Sequence, residues 1–436
     1  MKGYEKMLDI KFIIKNPDMV KENIKKKFQD HKLPLVDQVI ELDIENKKIK
    51  QLGDELRTKR NTLSSQIGGL IREGKTNEAN KIKEDVIKIN NDLVENENLE
   101  TKLAEDIRQI LLKIPNIMDD SVPIGKDDSQ NVELQKYGEP KVFDYEIPYH
   151  GEIMEALEGL DLDSARRVAG QGFYYLLGDI ARLHSAVLSY ARDFMIDKGF
   201  TYCIPPYMIR SEVVTGVMSF EEMDAMMFKI EGKDLYLIGT SEHSMIGKFK
   251  DQTLNKTELP YTMTSYSPCF RKEKGAHGIE ERGVYRIHQF EKQEMIVVCE
   301  PEDSRDWYDK MWRYTVELFE SMEIPVRTLE CCSGDLADLK VKSVDVEAWS
   351  PRQKKYFEVG SCSNLTDAQS RRLGIKIKGK DGNYFAHTLN NTVVAPPRML
   401  ISLIENNYNE DGSVTIPKVL VPYMGGKTKI EMKKKN

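Results

Sequence analysis

The chain is poor in the features that mark secreted, membrane or disulfide-rich proteins. Its 436 residues include only six cysteines, and no two of them form a C-x-x-C pair. We therefore expect reduced thiols, with neither a disulfide framework nor a zinc site. No apolar run approaches the roughly 18–20 residues that cross a bilayer. Charges interrupt the apolar residues of the N-terminal segment, which is unlike a signal peptide. These absences predict a soluble, cytoplasmic protein without a membrane partner.

A strong excess of either charge is also missing. The 64 Lys and Arg residues stand against 71 Asp and Glu, a formal net charge of -7. Residues 21–90 lean basic, with 16 Lys and Arg against 12 Asp and Glu, and a solvated helix surface accounts for so mild an excess. Apolar residues, at 40%, are too frequent for a disordered chain. The length predicts two or three domains with at least one large core.

Proline is absent from residues 36–113, and this stretch has a helical repeat. Its apolar residues recur every seven residues, or at alternating intervals of three and four residues. Either spacing predicts one apolar stripe along each of two helices. They are Leu42, Ile49, Leu56, Leu63, Leu70, Ile82, Val86, Ile89, Leu93, Leu103, Ile107 and Ile110, with a polar gap at Asn96 and Glu100. The segment GGLIREGKTN between the halves can turn the chain. We predict an antiparallel two-helix arm within an N-terminal domain of residues 1–113. A dimerisation coiled coil is an alternative that length alone leaves open.

The predicted tip of this hairpin imitates a phosphate-binding loop. Residues 69–76, GLIREGKT, satisfy G-x-x-x-x-G-K-[ST] letter for letter. Such a loop must follow a buried strand and open a helix, so that its N–H groups converge on phosphate. Here a helical repeat precedes it, so we reject a nucleotide site at this position.

The rest of the chain predicts a linker and one large domain. Residues 114–147 have several prolines and little periodicity, which indicates a linker with short strands, and residues 148–436 form the large domain. Helical patterns cover 178–198 and 302–322, and strand-like runs cover 236–240, 286–298 and 355–363. Because no βαβ rhythm repeats, we predict an α+β fold with an antiparallel sheet flanked by helices.

Three pieces of this domain have residue types suited to binding a nucleotide. In the first, FRKEKGAHGIEERGVYRIHQFEKQE at 270–294, two strand-like pieces surround a glycine-rich loop. Period-2 alternation predicts that Arg271 and Glu273 share one sheet face, and likewise Arg286, His288 and Phe290. Arginine pairs with phosphate oxygens two at a time, and an aromatic ring opposite a cation can hold a base.

The second piece, HTLNNT, leads through Pro396 and Pro397 to Arg398 at the start of an apolar helix, an end that favours anions. The third runs from GQGF at 170–173 through a long helix to the prolines at 205 and 206, and is of interface type. Together the pieces resemble the three motifs of class II aminoacyl-tRNA synthetases. In longer segments, the sequence resembles the seryl-tRNA synthetase family over nearly the whole chain. In order, it includes MLDIKFIIKNPDMVKENIKKK, IPNIMDDSVPIG, GQGFYYLLGDIARL, FRKEKG, RIHQFEKQE, SGDL, FEVGSCSN, HTLNN and ENNYNEDGSVTIPKVLVPYMGG.

This resemblance implies adenylation of L-serine with ATP and Mg²⁺, followed by transfer to the 3′ end of serine tRNA. It further implies a homodimer, with Pro206 and helix 178–198 at the interface, whose arm reaches tRNA across the dimer. The implied catalytic residues are Arg271, Arg398 and Glu358. The implied ATP site comprises Arg271 on the α-phosphate, Arg398 on the γ-phosphate, Phe290 under adenine, Glu273 near its amino group, Arg286 on the phosphate side, and Glu358 with Ser361 as Mg²⁺ ligands. The implied serine site comprises Thr240, Arg271, Glu294, Asn390 and Thr392.

The sequence also departs from the family pattern. The loop HGIEERG has Ile279, Glu280 and Glu281 where the family has Arg-Asp-Thr, and Ser333 and Val344 replace a usual Thr and Tyr. Two alternatives therefore stay open: a divergent paralogue that activates serine for a carrier protein or metabolite, and a non-catalytic RNA-binding relative. Candidate tRNA contacts near the arm tip are Lys59, Arg60, Arg72, Lys75, Lys81 and Lys83.

Overall fold

The computed structural model of the chain describes residues 9–273 and 283–432. The chain divides into two compact units, and the division falls between Ile117 and Met118. The predicted domain boundaries at residues 113 and 147 stay predictions.

The N-terminal unit is helical. Its helices are α1 Ile10–Lys15, α2 Pro17–Lys26, α3 Leu33–Arg72 and α4 Thr76–Leu111. The 40 residues of α3 span about 60 Å at 1.5 Å per residue. A short turn through Gly74, at φ 78°, reverses the chain so that α4 packs antiparallel along α3. The predicted two-helix arm is confirmed.

The core of this arm is partly polar. The leucines and isoleucines of the α3 repeat are half-buried or exposed, whereas Asp43, Asn46 and Gly53 are buried. Asn96 of α4 lies over Gly53, where a Cβ atom would meet its Oδ1 at 2.6 Å. The Asn96 Nδ2 donates to the Ile49 carbonyl at 3.0 Å. The polar gap in one helix therefore matches the glycine in the other, and a polar residue at such a position favours one register.

The structure of the arm shows why residues 69–76 match the phosphate-binding-loop motif without forming such a loop. Gly69 lies within the last turns of α3, and Lys75 precedes the first residue of α4. A helix and not a strand leads into the motif, so its N–H groups are used within the helix. The sequence-based rejection agrees with this geometry.

The C-terminal unit is built on an eight-stranded sheet, counted among the described residues. Its strands are β1 Val132–Tyr137, β4 Thr201–Tyr202, β8 Tyr261–Phe270, β9 Gln289–Cys299, β10 Val326–Glu330, β11 Lys342–Ser350, β12 Lys355–Thr366 and β15 His387–Val394. The spatial order is β1-β10-β11-β12-β15-β9-β8-β4. Neighbours pair antiparallel except β4 with β8. The predicted α+β fold with an antiparallel sheet is confirmed.

Shorter strands and the helices surround this sheet. The short strands are β2 Leu160–Asp161, β3 Tyr175–Leu176, β5 Met208–Ile209, β6 Tyr236–Leu237, β7 Thr253–Leu254, β13 Lys376–Ile377, β14 Tyr384–Phe385, β16 Val414–Thr415 and β17 Lys429–Ile430. The helices are α5 His150–Ala156, α6 Leu162–Ala169, α7 Gly178–Asp197, α8 Ser211–Val217, α9 Phe220–Met226, α10 Ser241–Gly247, α11 Ser304–Ser321, α12 Ala368–Leu373 and α13 Pro396–Asn406.

The main core lies where α7, α11 and α13 pack against the central strands. Leu183, Phe319 and Leu403, one from each helix, are fully buried there. The bounds of α7 and α11 are close to the predicted 178–198 and 302–322. The segment 236–240 forms a strand only at β6, because Thr240 begins α10 as its N-cap residue.

Strand β1 is one of the two edge strands of the main sheet. It comes from the segment that we expected to be a linker with short strands.

Among the described residues, no helix combines the length and the apolar character needed to span a membrane.

The burial of Phe319 yields a stability prediction. Phe319→Ala removes a fully buried ring from the main core and should lower the free energy of unfolding by about 3–5 kcal/mol. A urea titration followed by circular dichroism measures this change. Val142→Ala, at a side chain that is 80% exposed, is the control and should change it by less than about 0.5 kcal/mol. An equal effect of both variants would contradict the assigned core.

Candidate active site

One cavity of about 430 Å³ in the C-terminal unit is lined by every site residue predicted from the sequence. They are Thr240, Arg271, Glu273, Arg286, Phe290, Glu294, Glu358, Ser361, Asn390, Thr392 and Arg398. They come from strands β9, β12 and β15, from the segment between β8 and β9, from the first turn of α13 and from the start of α10. The structure therefore brings the whole predicted set together, while the role of each residue stays a prediction.

Strands β9 and β15 form the floor of the cavity. Phe290, Lys292 and Glu294 alternate along β9 and face the cavity together, as period 2 requires. Thr392 of β15 pairs opposite Glu294, and Asn390 lies two residues before it on the same face. Side chains on neighbouring antiparallel strands lie within contact distance across the pair.

A β-bulge explains how Glu358 and Ser361 share this face. Three residues apart on a regular strand, they would point to opposite sides of the sheet. The pairing of β12 with β11 skips Val359, since Gly360 pairs with Val346 and Glu358 with Glu347. The extra residue reverses the alternation, so both side chains line the cavity.

Arg271 lies just beyond the end of β8. The backbone N–H of Arg271 donates to the His288 carbonyl at 2.8 Å, and its side-chain Nε donates to the Gly239 carbonyl at 3.2 Å. The guanidinium carbon is 5.2 Å from the centroid of the Phe290 ring, which is a direct cation–π contact. Packing on two sides therefore holds this cation in the cavity.

The strand pattern predicted for this hairpin is partly wrong. Strand β8 ends at Phe270 and β9 begins at Gln289, so Arg271, Glu273, Arg286 and His288 lie outside the strands. The backbone leaves the extended region at Glu273, whose φ is 45°. Arg286 still donates to Glu273 at 3.4 Å. His288 does not line the cavity, because its ring packs on Phe173 at a centroid distance of 5.4 Å.

Arg398 enters the cavity from the first turn of α13, as predicted. The helix begins at Pro396. The Arg398 Nη1 donates to the Glu358 carboxylate at 2.8 Å and to the Glu358 carbonyl at 3.1 Å. The guanidinium carbon lies 5.0 Å from the Tyr285 ring centroid. Burial alone would raise the pKa of Glu358, but Arg398, with Lys340 and Arg271, outweighs burial and lowers it. Glu358 is therefore an anion at neutral pH.

Two carboxylates of the cavity, those of Glu294 and Glu242, lie close to Thr240. The Thr240 Oγ1 donates to the Glu294 carboxylate at 3.2 Å, and Lys292 forms an ion pair with the same carboxylate. Glu242, in the first turn of α10, is the second carboxylate. Burial, and then the negative charge of Glu294, raise the pKa of Glu242 to about 7. A cation entering beside Glu242 would favour its ionised form.

Several residues of the cavity were missed by sequence reasoning. They are Glu242, Lys292, Lys340 and Asp345, all of which line it. The alternation of Phe290 and Glu294 could have indicated Lys292. Glu242 follows Thr240 by two residues, but nothing in the sequence shows that a helix begins there and turns both side chains inward.

The same cavity has one group of potential metal ligands besides Glu358 and Ser361. Ligand atoms of Cys331, Asp335 and Asp345 lie within 4.8 Å of one another. Acidic side chains often gather in this way without an ion, so we assign no metal to them. The expectation of no zinc site stays a prediction.

The sequence departures fall into two groups. Ile279, Glu280 and Glu281, together with His277 and Arg282, lie outside the described residues. Ser333 donates to the Gly125 carbonyl at 3.2 Å, and Val344 is buried in the main core. Neither Ser333 nor Val344 lines the cavity, so these two substitutions concern local packing.

Comparison with known proteins identifies first the class and then the family. Residues 226–407 match the tRNA synthetase class II core domain of the G, H, P, S and T enzymes, so the cavity lies in a class II synthetase core. Residues 7–118 match the seryl-tRNA synthetase N-terminal domain. The serine--tRNA ligase of Methanospirillum hungatei is 39% identical over 424 residues, covering 97% of this chain and 99% of the relative. The chain belongs to the seryl-tRNA synthetase family.

Solved structures are also similar to the chain. The seryl-tRNA synthetase of Pyrococcus horikoshii, complexed with ATP, is 37% identical with a TM-score of 0.91 over 98% of this chain and 100% of that one. The cytoplasmic serine-tRNA ligase of Naegleria fowleri, in complex with AMP, is 31% identical with a TM-score of 0.86 over 98% and 99%. The similarity therefore extends over the arm as well as the core.

Proposed function

We propose that the chain activates L-serine with ATP to seryl-adenylate and then transfers the seryl group to the 3′ end of serine tRNA. The observation that carries this proposal is the convergence of Arg271 and Arg398 on one cavity with Glu294, although they are far apart in sequence. Family membership supports the same activity and favours it over a carrier-protein or non-catalytic role.

The arginine-rich half of the cavity is the ATP site in this proposal. Arg271 contacts the α-phosphate and Arg398 the γ-phosphate, while Phe290 stacks under adenine and Glu273 meets its amino group. Arg286 adds charge on the phosphate side. Each of these cations is already held by a ring, a carbonyl or a carboxylate, so little side-chain ordering is left when the triphosphate binds.

Oxygen donors in the cavity fit a magnesium ion. The Glu358 side chain is 44% exposed, and Ser361 lines the same cavity because of the bulge in β12. Magnesium prefers such hard oxygen ligands, and it commonly binds one or two protein carboxylates together with the phosphates of a substrate. When bound, Mg²⁺ would neutralise charge on the phosphates. Glu358 and Ser361 would hold it, with Arg398 fixing the carboxylate.

The carboxylate half of the cavity is the serine site. Glu294, Thr240, Asn390 and Thr392 would receive the ammonium and hydroxyl groups, and Arg271 the serine carboxylate. That carboxylate attacks the α-phosphorus and pyrophosphate leaves, so Arg271 and Arg398 stabilise the charge that develops. A site that hydrogen-bonds the hydroxyl rejects alanine by roughly 10⁴-fold, because polar groups would otherwise stay unpaired.

The N-terminal domain of residues 1–113 binds serine tRNA in this proposal, and residues 114–147 lead into the catalytic domain of residues 148–436. The working form is a cytoplasmic homodimer in which the arm of one subunit reaches tRNA on the other. The piece that runs from residue 170 to Pro206 and includes α7 forms the dimer interface.

Two assays test the activity. Serine-dependent exchange of pyrophosphate into ATP should proceed without tRNA, and labelled serine should be transferred when serine tRNA is added. Threonine, alanine and cysteine are the controls. Transfer of another amino acid would contradict the serine assignment, and exchange without transfer to tRNA would favour the carrier-protein alternative.

Removing either arginine should slow adenylation strongly. We expect Arg271→Ala and Arg398→Ala each to reduce pyrophosphate exchange on the order of 10²–10³-fold, because each removes charge that stabilises the transition state. Arg313→Ala, on the exposed face of α11, is the matched control and should leave exchange unchanged. Wild-type exchange by both site variants would disprove the assignment of the phosphate site.

Charge near the tip of the arm should affect tRNA but not serine activation. A variant with Lys59, Arg60, Arg72, Lys75, Lys81 and Lys83 changed to Ala should raise the KM for tRNA and weaken its salt dependence, because each lost phosphate contact removes about 0.7–0.9 from the slope of log K against log salt.

Pyrophosphate exchange measured on the same variant is the internal control and should equal the wild-type rate. A lower exchange rate would indicate damage to the fold. An unchanged KM for tRNA would place the tRNA contacts elsewhere.

A further inference from the structure

Two amide side chains hold Glu242, one of them, Asn390, in the cavity lining and the other, Gln369, behind it. The Glu242 Oε1 accepts hydrogen bonds from the Gln369 Nε2 and from the Asn390 Nδ2, each at 2.8 Å. The Oε2 atom has no hydrogen-bond partner among the described residues. One carboxylate oxygen is therefore fixed by the protein, and the other is left as an acceptor in the cavity.

Gln369 is itself held in one orientation. It is fully buried on α12, its Oε1 accepts from the Thr388 hydroxyl at 2.7 Å, and its Nε2 also donates to the Val217 carbonyl at 3.2 Å. If the amide were turned over, its oxygen would face both the Val217 carbonyl and the Glu242 carboxylate. Two acceptors would then oppose it, so the structure permits only the orientation that donates to Glu242.

We propose that Gln369 is a positioning residue for serine recognition, because it holds Glu242 with Oε2 available to the serine ammonium group. Gln369 is fully buried and is not among the residues that line the cavity, so its proposed effect on serine passes through Glu242. This inference rests on the proposed function. It adds helix α12, through the buried amide of Gln369, to the elements that shape the serine site.

Electrostatics around Glu242 give this role a measurable signature. Glu294 faces it and opposes its ionisation, while Lys292, Lys340 and the amide of Gln369 favour its ionisation. Because the balance leaves the pKa of Glu242 at about 7, loss of the amide donor raises it further. Less of the carboxylate is then ionised at neutral pH, so the loss of serine binding is largest at acidic pH and diminishes at alkaline pH.

The test is the serine and ATP kinetics of Gln369→Leu over a range of pH. We expect the KM for serine at neutral pH to rise about tenfold or more, the usual effect of losing a hydrogen bond to a charged group. The KM for ATP should stay within about twofold, and the acid limb of kcat/KM for serine should move to higher pH. An unchanged serine KM, or an unmoved acid limb, would overturn the proposal.

Asn406→Leu is the matched control. Asn406 is a buried amide of the same unit that donates to the Trp349 and Ser402 carbonyls at 2.8 Å, away from the cavity. It should lose stability without any change in serine KM. If both variants raise the serine KM alike, the effect is one of general packing and the proposal fails.

A second variant tests the proposal if Gln369→Leu does not fold. Thr388→Val removes the hydroxyl that orients Gln369, so it should move the serine KM and the acid limb in the same direction by a smaller amount. No shift in either quantity would overturn the proposal. Absence of serine-dependent exchange in the wild-type protein would instead refute the proposed function, which separates the two failures.

Discussion

The site depends on one constraint, the side-by-side pairing of β12, β15, β9 and β8 in an antiparallel sheet. Alternation along each strand sends every second side chain to the same face, so three neighbouring strands present their polar residues to one cavity. The bulge at Val359 brings β12 into step with the others. A slip of one residue between β9 and β15 would send Asn390 and Thr392 to the far side, away from Glu294. The hydrophobic residues on that far side, packed on α11 and α13, therefore fix the chemistry as well as the fold.

Within the cavity, charge is balanced locally. Arg398 is paired with Glu358, Lys292 with Glu294, and Arg286 with Glu273. Partly buried ions cost free energy unless each has a partner. Lys292 has its partner on the same strand, β9, whereas Arg398 of α13 has its partner on β12. In the proposed function, Arg271, Arg286 and Arg398 face the nucleotide, and Glu242 and Glu294 face the amino acid. An anionic triphosphate and a cationic ammonium group would each find an environment of opposite charge.

Much of this could be predicted from the sequence, because periodicity, breakers and local motifs are local properties. The proline-free repeat indicated the arm, and PPR followed by an apolar run placed Arg398 in the first turn of α13. The phosphate-loop imitation shows the limit of motifs, since Gly69 continues a helix. What sequence reasoning missed depends on long-range pairing. Glu242 accepts a hydrogen bond from Gln369, which is 127 residues away in the sequence, and no local pattern reports that contact. The strand ends near Arg271 were wrong because the backbone turns at Glu273.

The two units illustrate opposite uses of buried polarity. In the arm, Asn96 lies over Gly53 in a two-helix core, where a polar residue lowers stability but favours one register over alternatives. In the catalytic unit, Gln369, Asn390 and Glu242 form a network in which each donor has an acceptor. A satisfied network of this kind rigidifies its members, whereas an apolar core of equal volume would not orient a carboxylate. Because the same hydrogen bonds support packing and substrate geometry, substitutions here change stability and activity together. Only a measurement that resolves serine binding from ATP binding can separate the two effects.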